Sequence, residues 1–174
     1  MAGQRETATV SSSPPPSPSP FDISPIRDDE LDALYVLFER IVEDLDGWPQ
    51  APPLTRAVFE NTWIHPVTVV VAARVEGELA GAYLLKPNHP GRAAHIANAG
   101  YAVDRRFRGR GVGRALVLDS ITRASEAGFD AIQFNLVFES NPARKLYEEL
   151  GWVEIGRLPE AVEGEDALLY WRAV

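Results

Sequence analysis

Apolar residues between positions 31 and 45 recur every three or four residues, which is the spacing of one face of a helix. The stripe consists of Leu31, Leu34, Phe38, Ile41 and Leu45. Acidic residues at 28–30 suit the first turn of such a helix, and Gly47 followed by Pro49 ends it. The pattern therefore predicts an amphipathic helix that buries its apolar stripe.

Short runs of β-branched and apolar residues, separated by turn residues, predict the strands. The predicted strands span residues 21–26, 68–73, 79–85, 93–103, 131–138, 152–158 and 167–172. The predicted helices span residues 31–45, 54–63, 112–127 and 142–150, the last with Asn141 as N-cap, Pro142 at its first position and Gly151 after its end. Glu76-Gly77 predicts a hairpin turn between the second and third strands.

The resulting order is β-α-α-β-β-β-α-β-α-β-β. Three successive antiparallel strands followed by β-α-β-α-β predict an α/β (α+β) fold, a mixed sheet with helices on both faces. A length of 174 residues suits one domain plus a tail, and residues 11–20 contain only Ser and Pro. We therefore expect a disordered Ser/Pro-rich leader over residues 1–20 and a single domain over residues 21–174.

Composition and charge exclude several classes of function. The chain has no Cys, and its His residues, at positions 65, 89 and 95, share no metal-ligand spacing, so we expect no metal. The formal net charge of -8 argues against nucleic-acid binding, which uses a broad basic face. No window approaches the ~18 consecutive apolar residues of a membrane span, and the leader lacks the apolar stretch of a secretory signal. We expect a cytoplasmic protein with no membrane or nucleic-acid partner.

Against this acidic background, residues 105–114 gather five arginines and three glycines without an acidic residue. The glycines let main-chain N–H groups approach a ligand closely, and the helix predicted from residue 112 adds the positive end of its dipole. The turn therefore predicts a phosphate site formed by the N–H groups of residues 108–113. The even spacing of the glycines excludes a dinucleotide fingerprint, and the lack of Gly-Lys-Ser/Thr excludes a P-loop.

The pattern Arg108-x-x-Gly111-x-Gly113, between a predicted strand and a predicted helix, resembles the acetyl-CoA pyrophosphate loop of the GCN5-related N-acetyltransferase (GNAT) superfamily. Downstream, the stretch from Asn141 to Trp152 looks like the second CoA-side motif of that superfamily. The resemblance covers the chain from residue 21 onward. It implies acetyl-CoA as co-substrate and a sheet of about six to seven strands, in which the parallel strands 93–103 and 131–138 splay apart to admit it.

By this resemblance, the contacts to acetyl-CoA come from three segments. They are the backbone of Tyr101, Ala102 and Val103; the loop Arg108, Gly109, Arg110, Gly111, Val112, Gly113 and Arg114; and Asn141, Arg144 and Tyr147. Arginines at the rim would meet the 3′-phosphate or add long-range attraction. Tyr147 matches the tyrosine that often protonates the leaving thiolate, which suits a phenol with an ordinary pKa of ~10. The alternative for Tyr147 is a packed helical aromatic residue.

Two amide side chains on neighbouring strands are the candidates for the acceptor side. One face of strand 131–138 is predicted to be core and consists of Ile132, Phe134, Leu136 and Phe138. Gln133 and Asn135 share the opposite face, and Asn98 lies midway along the neighbouring strand. Burying an amide among apolar residues is costly unless it is hydrogen-bonded. Asn98 and Asn135 therefore either converge on an acceptor pocket or are satisfied structural amides.

A closer resemblance rests on three stretches of sequence. They are Lys86-Pro-Asn-His-Pro-Gly-Arg, His95-Ile-Ala-Asn-Ala-Gly-Tyr and Phe134-Asn-Leu-Val-Phe-Glu-Ser-Asn. They look like the proline-analogue N-acetyltransferases of yeasts, which acetylate L-azetidine-2-carboxylate and related toxic imino acids. This resemblance implies that Asn98 and Asn135 engage the imino acid near its nitrogen and its carboxylate. It also implies that the backbone N–H of Leu136 helps to hold the carboxylate, while Asn141 serves CoA.

The general base and the acceptor stay open at this point. Neutral Asn cannot accept a proton at useful pH, so the candidates for the base are a water chain and His95. Other small amines, such as amino acids, polyamines or aminoglycosides, and protein N-termini are alternative acceptors. A CoA-binding module that regulates without transferring acetyl is the alternative from another class, although binding alone needs neither Tyr147 nor the two Asn residues. The superfamily also implies a homodimer.

Overall fold

A seven-stranded sheet with the strand order β1-β2-β3-β4-β5-β7-β6 dominates the computed structural model, which describes residues 20–174. The strands are β1 (Asp22–Pro25), β2 (Val69–Val75), β3 (Glu78–Pro87), β4 (Ile96–Val103), β5 (Ala131–Phe138), β6 (Val153–Val162) and β7 (Glu165–Ala173). The helices are α1 (Leu31–Glu43), α2 (Arg56–Trp63), α3 (Val112–Glu126) and α4 (Arg144–Glu149). The predicted fold class and element order are confirmed. The predicted leader lies outside the described residues, except for Pro20.

The middle of the sheet opens into a V, because β4 and β5 pair over a short stretch only. These parallel strands pair at Ile96 with Ala131 and at Ala97 with Ile132, and no pairing follows. Beyond that point β5 pairs with β7 on its other side, and β4 pairs with β3. The predicted splayed pair is therefore confirmed, and its opening lies between the C-terminal halves of β4 and β5.

The hydrogen-bond register of β4 determines which backbone groups face this opening. Asp104 N donates to Ala80 O at 2.9 Å and Asn88 N donates to Ile96 O at 2.8 Å, at the two ends of the β3–β4 ladder. Since alternate residues of an antiparallel strand bond the same neighbour, the even-numbered residues of β4 bond β3. The N–H and C=O groups of Ala99, Tyr101 and Val103 therefore point into the opening.

Ala102 is an even-numbered residue of β4 and so belongs to the set that bonds β3. Its backbone bonds β3, and its side chain is buried in the apolar layer formed with α1 and α2. The prediction that Ala102 contacts the cofactor through its backbone is therefore wrong. Ala99, which sequence reasoning missed, has the parity that faces the opening.

The core side of β5 differs from simple alternation. A register shift between Phe134 and Val137 marks a bulge, so Val137 follows Phe134 into the core beneath α3. Leu136 is half-buried and lies in the bulge. The prediction that Leu136 belongs to the core is wrong, because alternation holds only along an unbroken ladder.

Other differences concern where elements begin and end. A short 3-10 turn at Gly91–Ala93 delays β4 to Ile96. The β6–β7 hairpin is tighter than predicted, because Glu163 and Gly164 turn the chain with φ angles of 49° and 84°. The Pro159 region stays in strand β6, where a second register shift on this edge strand accommodates a residue without an N–H donor.

Trp48, in the loop between α1 and α2, contacts the sheet at Gly100, a residue without a side chain. Its ring packs edge-on against Phe38, with centroids 4.8 Å apart. It lies directly over Gly100 of β4, where a Cβ atom would overlap the indole. Gly100 is therefore the residue that lets the α1–α2 loop approach β4.

A buried ion pair fastens β1 and the segment before α1 to β2. The Arg74 side chain is 2% exposed and donates to both carboxylate oxygens of Glu30 at 2.5 Å. It also donates to Ser24 Oγ at 2.8 Å. The hydrogen bond from Arg74 lowers the pKa of Glu30 to about 2, against the opposing effect of burial.

Replacing Glu30 by Gln should lower the free energy of unfolding by ~3 kcal/mol at pH 7, because the buried Arg74 loses its two-point carboxylate partner and keeps only the 3.5 Å ion pair with the exposed Asp22. Since the pKa of Glu30 falls from 4.5 in its ordinary state to about 2 in the fold, the carboxylate stabilises the protein above pH 4.5 and loses this effect as pH falls toward 2. Urea unfolding of both proteins between pH 3 and pH 7 measures this difference. Asp32→Asn, which removes an exposed ion pair with Arg56, is the control. A pH-independent difference would contradict the assignment.

Gly100→Ala should destabilise the fold by ~1–3 kcal/mol, because the added methyl displaces the Trp48 ring. Gly156→Ala is the matched control, since a Cβ there meets only Leu169 at ordinary distances of 3.8 to 4.0 Å. Chemical denaturation gives both free energies, and near-UV circular dichroism reports the Trp environment. Equal stability of the two variants would mean that Trp48 does not depend on Gly100.

Candidate active site

A cleft of about 960 Å³ occupies the open end of the V between β4 and β5. This volume lies within the range of small-molecule sites. Its walls come from the α1–α2 loop at 44–52, the turn from Arg105 into α3, the segment 138–147 and the β6–β7 turn. Of the predicted cofactor residues, those that line it are Tyr101, Val103, Arg108, Gly109, Gly111, Val112, Gly113, Arg114, Asn141 and Tyr147.

The glycine-rich turn presents bare backbone to the cleft. Gly109 and Gly111 have φ angles of 71° and 88°, a left-handed conformation that residues with a Cβ rarely adopt. The N–H groups from Gly109 to Arg114 have no acceptor in hydrogen-bonding geometry within residues 20–174. Because α3 begins at Val112, the positive end of its dipole also faces the cleft. The turn therefore presents a row of unpaired main-chain donors, which is the arrangement that an anion site requires.

Most of the arginine side chains in this turn are already paired with carboxylates. The ion pairs are Arg105–Asp44, Arg106–Asp104, Arg106–Glu78, Arg108–Asp46 and Arg114–Glu149. Arg110 has no ion pair with a described residue; its guanidinium lies 5.4 Å from the Phe107 ring centroid, outside the cleft. Sequence reasoning missed these partners, because Asp44 and Asp46 are about sixty positions away. Their consequence is that the α1–α2 loop is tied to the turn.

Tyr101 and Val103 lie along the β4 wall of the cleft. The carbonyl oxygen of Tyr101 accepts a hydrogen bond from Trp48 Nε1 at 2.9 Å. The Tyr101 hydroxyl is bonded to Ser120 Oγ at 2.8 Å, so it is not free. The N–H groups of Tyr101 and Val103 make no backbone hydrogen bond to the described part of the chain and point into the opening.

Asn141 precedes α4 on the opposite wall. Its Oδ1 accepts from Ala143 N at 2.9 Å, and this turn delays the helix to Arg144, two residues later than predicted. The Asn141 amide nitrogen has no hydrogen-bond acceptor among the described residues and lies close to Gly47. Arg144 instead donates to Glu139 O at 2.9 Å and to Tyr170 Oη at 3.2 Å, away from the cleft. The prediction that Arg144 contacts the cofactor is therefore wrong.

Tyr147 is a packed aromatic residue that also lines the cleft. Its side chain is 7% exposed, and its ring lies 4.7 Å from Phe134 and 6.0 Å from Trp152. Its hydroxyl has no hydrogen-bond partner within residues 20–174. Burial raises the pKa of Tyr147 above its ordinary value, so the phenol keeps its proton at neutral pH. The interpretation of Tyr147 as a packed helical aromatic residue is confirmed, and its role as proton donor stays a prediction.

Asn98 and Asn135 lie outside the cleft lining, in a cluster of four amides at the apex of the V. Asn98 Nδ2 donates to Gln133 O at 2.9 Å, one residue beyond the last β4–β5 pair. Asn135 Nδ2 donates to Asn88 Oδ1 at 2.5 Å. In return, Asn135 Oδ1 accepts from Asn88 Nδ2 at 3.2 Å and from Gln133 Nε2 at 3.0 Å.

These hydrogen bonds leave the two predicted residues with different free groups. The Asn135 oxygen accepts two hydrogen bonds, which is its full capacity, so only one N–H of that amide is left. Asn98 keeps its oxygen and one N–H. Asn135 can therefore only donate to a ligand, whereas Asn98 can also accept. Sequence reasoning missed the role of Asn88, although it stands in one of the stretches that carry the yeast resemblance.

His95 precedes β4 at the paired end of the V. It is exposed, and its Nδ1 lies 3.1 Å from Arg92 O. It does not line the cleft. No hydrogen bond within residues 20–174 links His95 to Asn98 or Asn135, so its role as general base stays a prediction.

Three polar residues of the cleft had no role in the sequence interpretation. Gln50, in the α1–α2 loop, has an enclosed Oε1 without a hydrogen-bond partner among the described residues. Glu163 and Glu165, in the β6–β7 turn, add negative charge to the rim. Glu165 accepts from Ser140 N at 2.5 Å, which lowers its pKa. None of the three belongs to a motif, so only the fold brings them to the site.

Residues 20–174 contain no group of three or more His, Cys, Asp or Glu residues that could hold a metal ion. None of the helices between these limits is long and apolar enough to cross a membrane.

Solved structures share this architecture. A GCN5-related N-acetyltransferase from Kribbella flavida superposes with a TM-score of 0.83 and 34% identity, over 91% of this chain and 100% of that chain. The structure of yncA from Salmonella typhimurium, with its cofactor acetyl-CoA, gives a TM-score of 0.77 at 14% identity, over 89% of this chain and 94% of that chain. The second likeness shows the fold alone.

Curated proteins match shorter stretches. N-acetyltransferase aca1 of Schizosaccharomyces pombe is 39% identical over 84 residues, which cover 48% of this chain and 40% of that protein. L-amino acid N-acetyltransferase AaaT of Escherichia coli is 28% identical over 83 residues, 47% of this chain and 51% of that protein. The chain thus spans about half or less of the length of these relatives.

The sequence profile of the acetyltransferase (GNAT) family matches residues 31–152, from the start of α1 to the residue before β6. The match includes both the glycine-rich turn and the segment that carries Asn141 and Tyr147. Together with the likeness to the whole Kribbella flavida structure, it establishes that the chain belongs to the acetyltransferase (GNAT) family.

Proposed function

We propose that this chain is an acetyl-CoA-dependent N-acetyltransferase whose acceptor is a small imino or amino acid, such as L-azetidine-2-carboxylate or another proline analogue. The observation that carries the acceptor is the asymmetry of the amide cluster at the apex of the V. A group that can only donate suits a carboxylate, and a free amide oxygen suits an amine N–H.

The cleft fits acetyl-CoA by the chemistry of its walls. The unpaired N–H groups from Gly109 to Arg114 would hold the pyrophosphate without arginine side chains. The unpaired N–H groups of Tyr101 and Val103 would donate to the pantetheine amides, and the free Asn141 amide nitrogen would serve the same arm. When bound, acetyl-CoA supplies the thioester whose acyl group is transferred to the amine.

Tyr147 is the proton donor in this proposal. The Tyr147 hydroxyl is not engaged elsewhere in the described protein, so it is available to a departing thiolate. Burial raises the pKa of the phenol, which keeps it protonated but makes it a weaker acid, so the transfer relies on a thiolate that is desolvated in the same cleft. Stabilising that thiolate lowers the barrier to acyl transfer.

The acceptor amine must lose a proton before it can attack. None of the four amides can take it, since a neutral amide is not a base at useful pH. Water therefore carries the proton away. Asn98 and Asn135 orient the acceptor rather than transfer its proton.

For the acceptor, Asn98 Oδ1 would accept from the amine, while the free N–H of Asn135 would donate to the carboxylate. The backbone N–H of Leu136, in the bulge of β5, would join Asn135. The Escherichia coli relative is an L-amino acid N-acetyltransferase, which supports an acceptor of this class. A cytoplasmic location and a homodimer, both expected from the sequence, stay predictions.

A polyamine or another small amine is the second candidate acceptor. The observation that favours it is the negative charge of Glu163 and Glu165 at the rim of the cleft. The free donor at Asn135 argues against it, because a polyamine has no acceptor group for that N–H.

Purified protein should release free CoA thiol when acetyl-CoA and L-azetidine-2-carboxylate are added together, as followed with a thiol-reactive chromogen. Azetidine, which lacks the carboxylate, is the matched control and should react with a much higher KM. Release with polyamines and not with imino acids would overturn the proposed acceptor. No release with any amine of a broad panel would overturn the enzyme assignment.

Tyr147→Phe should lower kcat by ~10²–10⁴, because the thiolate loses its acid, and should leave acetyl-CoA affinity within a few-fold. Single-turnover thiol release and calorimetric titration measure the two quantities. Tyr83→Phe removes another buried tyrosine hydroxyl, one that bonds Asp119 outside the cleft, and should keep kcat. Wild-type turnover in Tyr147→Phe would remove this residue from the chemistry.

A further inference from the structure

Asn88 and Asn135 form a reciprocal amide pair. Each side chain donates to the other, at 2.5 Å from Asn135 to Asn88 and at 3.2 Å in return. Two bonds in opposite directions permit a single relative orientation, because rotating either amide by half a turn brings oxygen against oxygen and N–H against N–H. Both residues are half-buried, so water competes with these bonds only in part.

The Asn88–Asn135 pair also links the two halves of the sheet near the point where β4 and β5 stop pairing. Asn88 follows the end of β3, and Asn135 lies on β5 beyond its last paired residue with β4. Between them, β4 bonds β3 and leaves β5. The Asn88–Asn135 pair and the bond from Asn98 to Gln133 O are therefore side-chain links at the apex, where no strand ladder joins the two halves.

Asn88 and Gln133 together leave N–H as the only free group of the Asn135 amide. Gln133 occupies one lone pair of the Asn135 oxygen, and Asn88 occupies the other. Without Asn88, that oxygen regains an accepting site and the amide is free to rotate. An amide that presents oxygen repels a carboxylate and attracts an ammonium group instead.

We propose that Asn88 is a positioning residue that sets the preference for acceptors with a carboxylate beside the amine. It acts through Asn135 by holding the amide so that N–H is its only free group. This inference rests on the proposed function, because it concerns how the same site distinguishes an imino acid from a plain amine.

Asn88→Ala should raise the KM for L-azetidine-2-carboxylate about tenfold, which corresponds to the loss of one hydrogen bond of ordinary strength. The KM for azetidine should stay within about twofold, and kcat for both acceptors should change little. Asn88→Asp should raise the KM for the carboxylate acceptor further, because its charge repels both that carboxylate and the Asn135 oxygen. Initial rates over a range of each acceptor measure these effects.

Two further variants separate this role from a structural one. His89→Ala changes the exposed neighbour of Asn88 and should leave both KM values unaltered. Gln133→Met removes the other donor to the Asn135 oxygen and should weaken the carboxylate preference in the same direction. If Asn88→Ala does not fold, as judged by circular dichroism, Gln133→Met carries the same test.

The outcomes distinguish the inference from the proposed function. Wild-type protein that shows no preference for the carboxylate acceptor overturns both. A wild-type preference that persists in Asn88→Ala and Gln133→Met, or an equal loss of activity toward both acceptors, overturns only the role of Asn88. A selective rise in KM for the carboxylate acceptor supports it.

Discussion

The divergence of β4 from β5 after two paired positions is the constraint on which the site depends. A continuous parallel ladder would have satisfied the backbone of Tyr101 and Val103, and there would be no cleft. By parting, the strands leave main-chain donors unpaired on β4 and bring the start of α3 and the segment before α4 to opposite walls. Neighbouring pairings hold the two halves in place, β4 against β3 and β5 against β7. The opening is therefore a rigid part of the sheet, although it interrupts the sheet's hydrogen bonding.

The α1–α2 loop completes the site by contacts of three different kinds. Trp48 fits over the bare position of Gly100 and donates to a β4 carbonyl that the missing ladder left free. Asp44 and Asp46 pair with arginines of the glycine-rich turn. The loop therefore depends on the parting of β4 and β5 for one contact and on the glycine-rich turn for the others, so it links the β4 wall of the cleft to that turn.

Much of this arrangement follows from the sequence, because it depends on local patterns. Alternating and helical spacings predicted the element order, and the Arg108 to Gly113 pattern predicted the turn whose N–H groups are unpaired from Gly109 onward, since Arg108 N bonds Arg105 O. Sequence patterns gave wrong predictions where contacts between distant parts of the chain determine the direction of a residue. The bulge in β5 withdrew Leu136 from the core, the parity of the β3–β4 ladder turned Ala102 away from the opening, and Arg144 found partners in Glu139 and Tyr170. The amide of Asn88 gained its place only through a strand two positions away in the sheet.

The pairing of the turn's arginines changes how the cleft selects among anions. A turn with all its guanidinium groups free would attract nucleic acid, nucleotides and inorganic phosphate alike, since charge alone acts over long distances. With Asp44, Asp46 and Glu149 beside those groups, most of that field is cancelled at short range. What is left is a row of N–H dipoles whose attraction fades within a few ångströms and depends on direction. Under the proposed function, the turn would therefore hold a phosphate by the direction of its N–H groups rather than by net positive charge.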